Sequence, residues 1–164
     1  MKKIYVLIVL IILSIPAFTQ SLSVPELISY LDMPAKQIDT VLMKKGYRLI
    51  KKEVDSSSSI YNYSSIQVNE GTEPTWVRSV NYMDVQVKNV KSRLLTYRTY
   101  SGEDYRRILQ DLLNANFRST HKFDFKEAKH TLYEKDGRSI RLKVIDEKLP
   151  NGKMIKVYEV ETGR

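Results

Sequence analysis

The chain repeats itself at a spacing of seventy residues, and that repeat restricts the fold more than any other feature. Ile38 aligns without a gap on Ile108, Leu42 on Leu112 and Met43 on Leu113. Gly46 then falls on Asn116, Tyr47 on Phe117, Arg48 on Arg118 and Tyr63 on Tyr133. Only five positions of a thirty-residue window are identical, but the matches fall together on an apolar helical stripe, a left-handed cap and the strand beyond it. The expected fold class is α+β. It consists of two tandem units of a helix (or helical hairpin) plus a three-stranded antiparallel sheet, packed as one body. A unit of about 70 residues buries too little surface to stand alone, so the two sheets should join or pack together.

Local signals place the elements. Ser23-Val24-Pro25-Glu26 reads as a capping box for a short helix with Leu27, Ile28 and Leu31 on its apolar face. Pro34 disfavours helical geometry at Met33 and can open a second helix, whose buried stripe is Ile38, Val41, Leu42 and Met43. Gly46 supplies its stop. Tyr47 to Val54, Ile60 to Tyr63, Trp76 to Tyr82 and Arg93 to Tyr100 read as extended, with a loop at Asn69–Pro74. Ser101-Gly102-Glu103-Asp104 starts another helix, with Tyr105, Ile108, Leu109, Leu112 and Leu113 on one face. Three strands follow, separated by the turn dipeptides Asp136-Gly137 and Asn151-Gly152. The expected boundaries are a leader at 1–19, a first unit at 20–100 and a second at 101–164.

Residues 1–19 have the three-part pattern of a secretory signal peptide. Met1-Lys2-Lys3 is positive, Ile4 to Leu13 is unbroken apolar sequence, and Pro16 precedes Ala17-Phe18-Thr19. Cleavage is expected between Thr19 and Gln20, leaving a periplasmic or secreted protein. The alternative is a retained anchor, but the apolar run falls short of the roughly 20 residues that span a bilayer. The chain has no cysteine, which excludes an acylated lipoprotein, a disulfide scaffold and a thiolate metal site. Such avoidance of cysteine suits an oxidising compartment.

Met33-Pro34-Ala35-Lys36-Gln37-Ile38, with Val41-Leu42 and Gly46 beyond, resembles the helical hairpin of β-lactamase-inhibitor-protein-like and small outer-membrane-assembly-lipoprotein-like domains. That resemblance implies a hairpin laid on an antiparallel sheet, sometimes in tandem. The usual glycine before the methionine is Asp32 here, and the second unit lacks a clear first helix. The end of the leader, Ala-Phe-Thr before Gln-Ser, resembles those of small exported Bacteroidota proteins. Neither resemblance carries a function.

Composition narrows the chemistry. His121 and His130 are the only histidines, so a His-ligated metal centre is not expected, and neither is a cofactor. No glycine–serine elbow and no phosphate-binding glycine loop occurs. Asp104 and Asp111, a heptad apart, read as helix-terminus or solvent acids rather than as a catalytic pair. The net charge of +8 is spread over three groups. Lys44 to Lys52 holds one, Lys88 to Arg107 a second, and Arg138 to Lys156 a third. Tyrosine is abundant, at eleven residues, and several alternate along expected strands.

Tyrosine with arginine is the composition of protein-binding surfaces. The expectation is an exported, non-enzymatic module that binds another envelope or secreted protein through a Tyr/Arg-rich sheet face. Its candidate residues are Trp76, Tyr82, Tyr97, Arg98 and Tyr100. Two alternatives stand beside it: a binder of anionic glycan or lipid surface through the basic groups, and a small hydrolase with an unrecognised site, although His121 and His130 read as surface or half-buried structural residues. Export argues against nucleic acid.

Overall fold

Ser23 starts the first helix by the reciprocal arrangement its spacing to Glu26 allows. Its hydroxyl accepts from the Glu26 amide, and the Glu26 carboxylate accepts from the Ser23 amide at 2.9 Å. A computed structural model describes residues 21–67, 75–149 and 151–164. Helix α1 (Val24–Asp32) ends where Met33 turns extended before Pro34, and Pro34 caps α2 (Ala35–Lys44). Helix α3 (Gly102–Asn114) is capped by Ser101, whose hydroxyl accepts from the Asp104 amide. No helix among the described residues is long and apolar enough to cross a membrane.

The strands are β1 (Arg48–Val54), β2 (Ser58–Gln67), β3 (Thr75–Val87), β4 (Val90–Thr99), β5 (Arg118–Phe125), β6 (Ala128–Lys135), β7 (Arg138–Lys148) and β8 (Met154–Gly163). They form one antiparallel sheet in the order β1-β2-β3-β4-β8-β7-β6-β5. The expected three strands in each half are therefore four. The difference in the second half is a tight turn at Lys126-Glu127, where both residues take left-handed φ values of 47° and 62°. Glycine and asparagine mark such turns in sequence, and a lysine–glutamate pair does not. The expected loop at Asn69–Pro74 lies outside the described residues.

The seventy-residue spacing recurs in the geometry. Gly46 (φ 84°) and Asn116 (φ 60°) both stop a helix. The next amide folds back in each case, Tyr47 to Leu42 O at 3.0 Å and Phe117 to Leu112 O at 2.9 Å. Ile38 and Ile108 are buried, as are Leu42 and Leu112. The register slips between Leu49 and Lys51 in β1 and between Ser119 and His121 in β5, at corresponding positions. Met43 departs from expectation: it is 60% exposed, and its counterpart Leu113 is 62% exposed. Both lie next to the buried leucine and turn past the edge of the helix–sheet contact.

Strand alternation assigns the faces. Tyr63, Val80, Tyr97, Val160 and Leu142 lie side by side across five strands, and Tyr61, Tyr82, Leu95, Thr162 and Ile140 form the adjacent row. These rows pack with Leu27, Tyr30, Leu31, Ile38, Leu42, Ile108 and Leu112 of the helices in one core. Tyr105 of α3 stacks on Tyr158 of β8, ring centroids 4.4 Å apart. The helices thus cover one face, and the β4–β8 ladder makes one sheet of both halves.

The cap geometry sets a test. Gly46→Ala forces an L side chain into a left-handed conformation and should cost about 1–2 kcal/mol in urea unfolding. Asn116→Gly relieves that conformation and should be neutral or stabilising by less than about 1 kcal/mol. Equal losses at both positions would show that the two caps are not equivalent.

Candidate functional site

The five candidate residues do not share a surface. Tyr82 and Tyr97 are fully buried beneath the helices, which removes them from any recognition face in the folded protein. Arg98 follows Tyr97 directly on β4, so it points to the opposite face, and Tyr100 lies with it. The Arg98 guanidinium sits 5.5 Å from the Tyr100 ring centroid. Trp76 belongs to β3, and its side chain lies outside the described residues.

The helix-free face is built from the alternate rows. One row runs Ser64, Ser79, Arg98, Glu159, Lys143, His130 and Phe123. The next runs Asn62, Asn81, Thr96, Glu161, Arg141 and Leu132. At the centre, charges alternate in sign. Arg98 pairs with Glu147 and, at 3.4 Å, with Glu159. Lys143 bridges Glu159 at 3.5 Å and Glu161 at 2.7 Å, and Arg141 reaches Glu161 at 3.2 Å. Each pair alone is worth little at a surface, but several charges in one lattice restrict one another. The three cations and three acids cancel, so the middle of this face is neutral.

Apolar side chains flank that lattice. Ile60, Met83 and Leu94 lie beside one another on β2, β3 and β4 and are partly exposed. Across the lattice are Leu132, Ile145, Phe123 and Phe125, with Val157 and Ala128 buried among them. Arg141 and Lys143 belong to the third basic group of the sequence and alternate along β7. Glu159 and Glu161 share their parity on β8, and that was the signal for the lattice.

The buried chemistry lies on the other side. Asp104, in the first turn of α3, accepts from Arg78 Nε at 2.6 Å and Arg78 Nη2 at 3.2 Å. Tyr97 donates to the same carboxylate at 3.2 Å and Thr99 at 3.0 Å. Burial alone would raise the Asp104 pKa; the Arg78 hydrogen bonds and charge, with Thr99 and Ser21, outweigh it and hold the carboxyl below its usual range. Burial pushes Tyr97 up to about 12, so its hydroxyl stays a donor. Asp104 thus takes the helix-terminus place expected of it, but as a buried structural anchor rather than a solvent acid.

His130 is buried, stacks on Phe123 with centroids 4.8 Å apart, and sets Nε2 3.3 Å from Phe125 O. His121 lies on β5 beside Leu132 of β6 and is exposed. Among the described residues, no group of three or more acids and histidines is placed to hold a metal ion.

A depressed carboxylate pKa adds stability above the unfolded value of about 3.9 and loses it as pH falls through the folded value. Asp104→Asn leaves Arg78 buried without its charge partner and should cost about 3–5 kcal/mol at pH 7. The gap between wild type and variant should narrow as pH drops below about 4 in denaturant titrations. A pH-independent gap would contradict an ionised Asp104. No protein-family model, curated protein or solved structure matches the chain.

Proposed function

We propose that the chain is an exported, non-enzymatic binding module that recognises another protein through the helix-free face of its sheet. One observation carries this reading: apolar side chains flank a neutral charge lattice on a face that no helix covers. A sheet face that meets only water alternates to polar residues. Here Ile60, Met83, Leu94, Leu132, Phe123 and Phe125 stand on it instead. Apolar surface with a few fixed charges is the make-up of a protein-binding patch. Arg98 and Tyr100 are its arginine–aromatic pair. The leader-like residues 1–19 support export, and the shared caps and bulges support two tandem units, each with four strands.

Charge argues against a polyanion on this face. Arg98, Arg141 and Lys143 are already matched by Glu147, Glu159 and Glu161. Outside it, Lys45, Lys91, Arg93 and Lys156 also hold acidic partners.

Thr96 sits opposite Glu161 at the middle of the face, and a long side chain there would obstruct docking without entering the core. Tagged wild type should retain one stoichiometric protein from the producing cell's envelope, and Thr96→Arg should lose it. Met43→Glu, on the helix side, should retain it. Salt-sensitive binding to anionic vesicles by all three proteins would favour a charged-surface binder. Equal capture by all three would exclude the sheet face.

A further inference from the structure

We propose that β5 is a self-complementary edge, through which two copies of the chain pair antiparallel about Phe123. This interface shares Phe123 and Phe125 with the border of the helix-free face but not the charge lattice at its centre, and it is argued from the strand edge, independently of the reading above.

Strand β5 ends the sheet, and every residue in it is exposed. The Lys126-Glu127 turn closes a two-residue hairpin on the Phe125–Ala128 pair. In such a hairpin the flanking pair is hydrogen-bonded, and every second residue along the strand shares that role. Phe125 and Phe123 therefore spend their amides and carbonyls on β6. Lys122 and Asp124 direct theirs outward, to an open edge.

The register follows from charge. The irregularity between Ser119 and His121 limits the regular strand to 121–125, and Phe123 is its midpoint. Pairing about Lys122 or Asp124 sets like charges opposite each other, which is destabilising. Pairing about Phe123 sets Lys122 opposite Asp124 of the second copy, twice by symmetry. It also sets the outward backbone groups of Lys122 and Asp124 against each other as hydrogen-bonded pairs. Phe123 then meets Phe123 in the closer, non-hydrogen-bonded pairing, with His121 opposite Phe125. Phe123 and Phe125 are 45% and 57% exposed in the single chain, and Phe123 already stacks on His130. Pairing would continue that aromatic row across the seam.

The opposite edge cannot do the same. The Asp55 amide bonds Ser58 O, which leaves Lys52 and Val54 with outward groups on β1. The equivalent pairing would set Glu53 against Glu53 and give Lys52 no acid. One edge pairs and the other refuses, so the product is a closed two-fold dimer rather than a fibre. A five-residue seam is a small interface, so the dimer should be weak and concentration-dependent.

Sedimentation equilibrium of the purified protein tests this. The apparent mass of wild type should rise toward twice the monomer value between micromolar and millimolar concentration. Lys122→Asp and Asp124→Lys should each remain monomeric, with unchanged far-UV circular dichroism. An equimolar mixture of the two should associate again, because one then presents two acids and the other two lysines. Wild type that stays monomeric throughout overturns the proposal. So does a dimer that tolerates both single reversals.

Discussion

The β4–β8 ladder is the constraint on which everything else in this molecule rests. It pairs Tyr97 with Val160 and Leu95 with Thr162, and so lays the last strand of each half against the other. Once those strands are joined, both sets of helices must lie on the same face, because Leu95, Tyr97, Val160 and Thr162 point only one way. The Asp104 carboxylate secures that choice. Its partners come from β3 and β4, while Asp104 itself opens α3. A charge buried in this way stabilises only with all its partners present, so the node specifies geometry more than it adds net stability.

Choosing one face for the helices leaves the other bare, and the residues on it are then fixed by parity. Arg98, Glu159 and Lys143 fall in one row, and Glu161 and Arg141 in the next. The lattice consumes their charge locally. What remains available for contact is the apolar border around it. The proposed protein partner would draw on that border, and the lattice leaves no surplus positive charge at the centre for a polyanion.

Much of this was legible in the sequence. The capping box at Ser23, the stop at Gly46 and its counterpart at Asn116 each rest on one or two residues whose chemistry is local. The seventy-residue spacing was readable because burial, cap and strand positions coincide along it. The turn at Lys126-Glu127 was not, since neither residue favours the conformation it adopts and tertiary pairing must impose it. The candidate residues divide between two faces for a different reason. Tyr97 and Arg98 are neighbours on a strand and cannot share a face, so a set that includes both spans the core and the surface. Alternation could have separated Arg98 and Tyr100 from Leu95, Tyr97 and Thr99. Only the packing of the helices shows which of the two faces is open.

If the proposed partner docks on the helix-free face, that face is occupied where the protein works. The chain has no cysteine, so a single one reports its own position cleanly. Alkylation rates of Thr96→Cys and Met83→Cys should be compared with Met43→Cys, in intact producing cells and as purified proteins. The two sheet-face sites should react freely when purified but be protected in the cell, while the helix-side site should react equally in both. Free reaction of the sheet-face sites in the cell, with Met43→Cys protected instead, would contradict docking on that face.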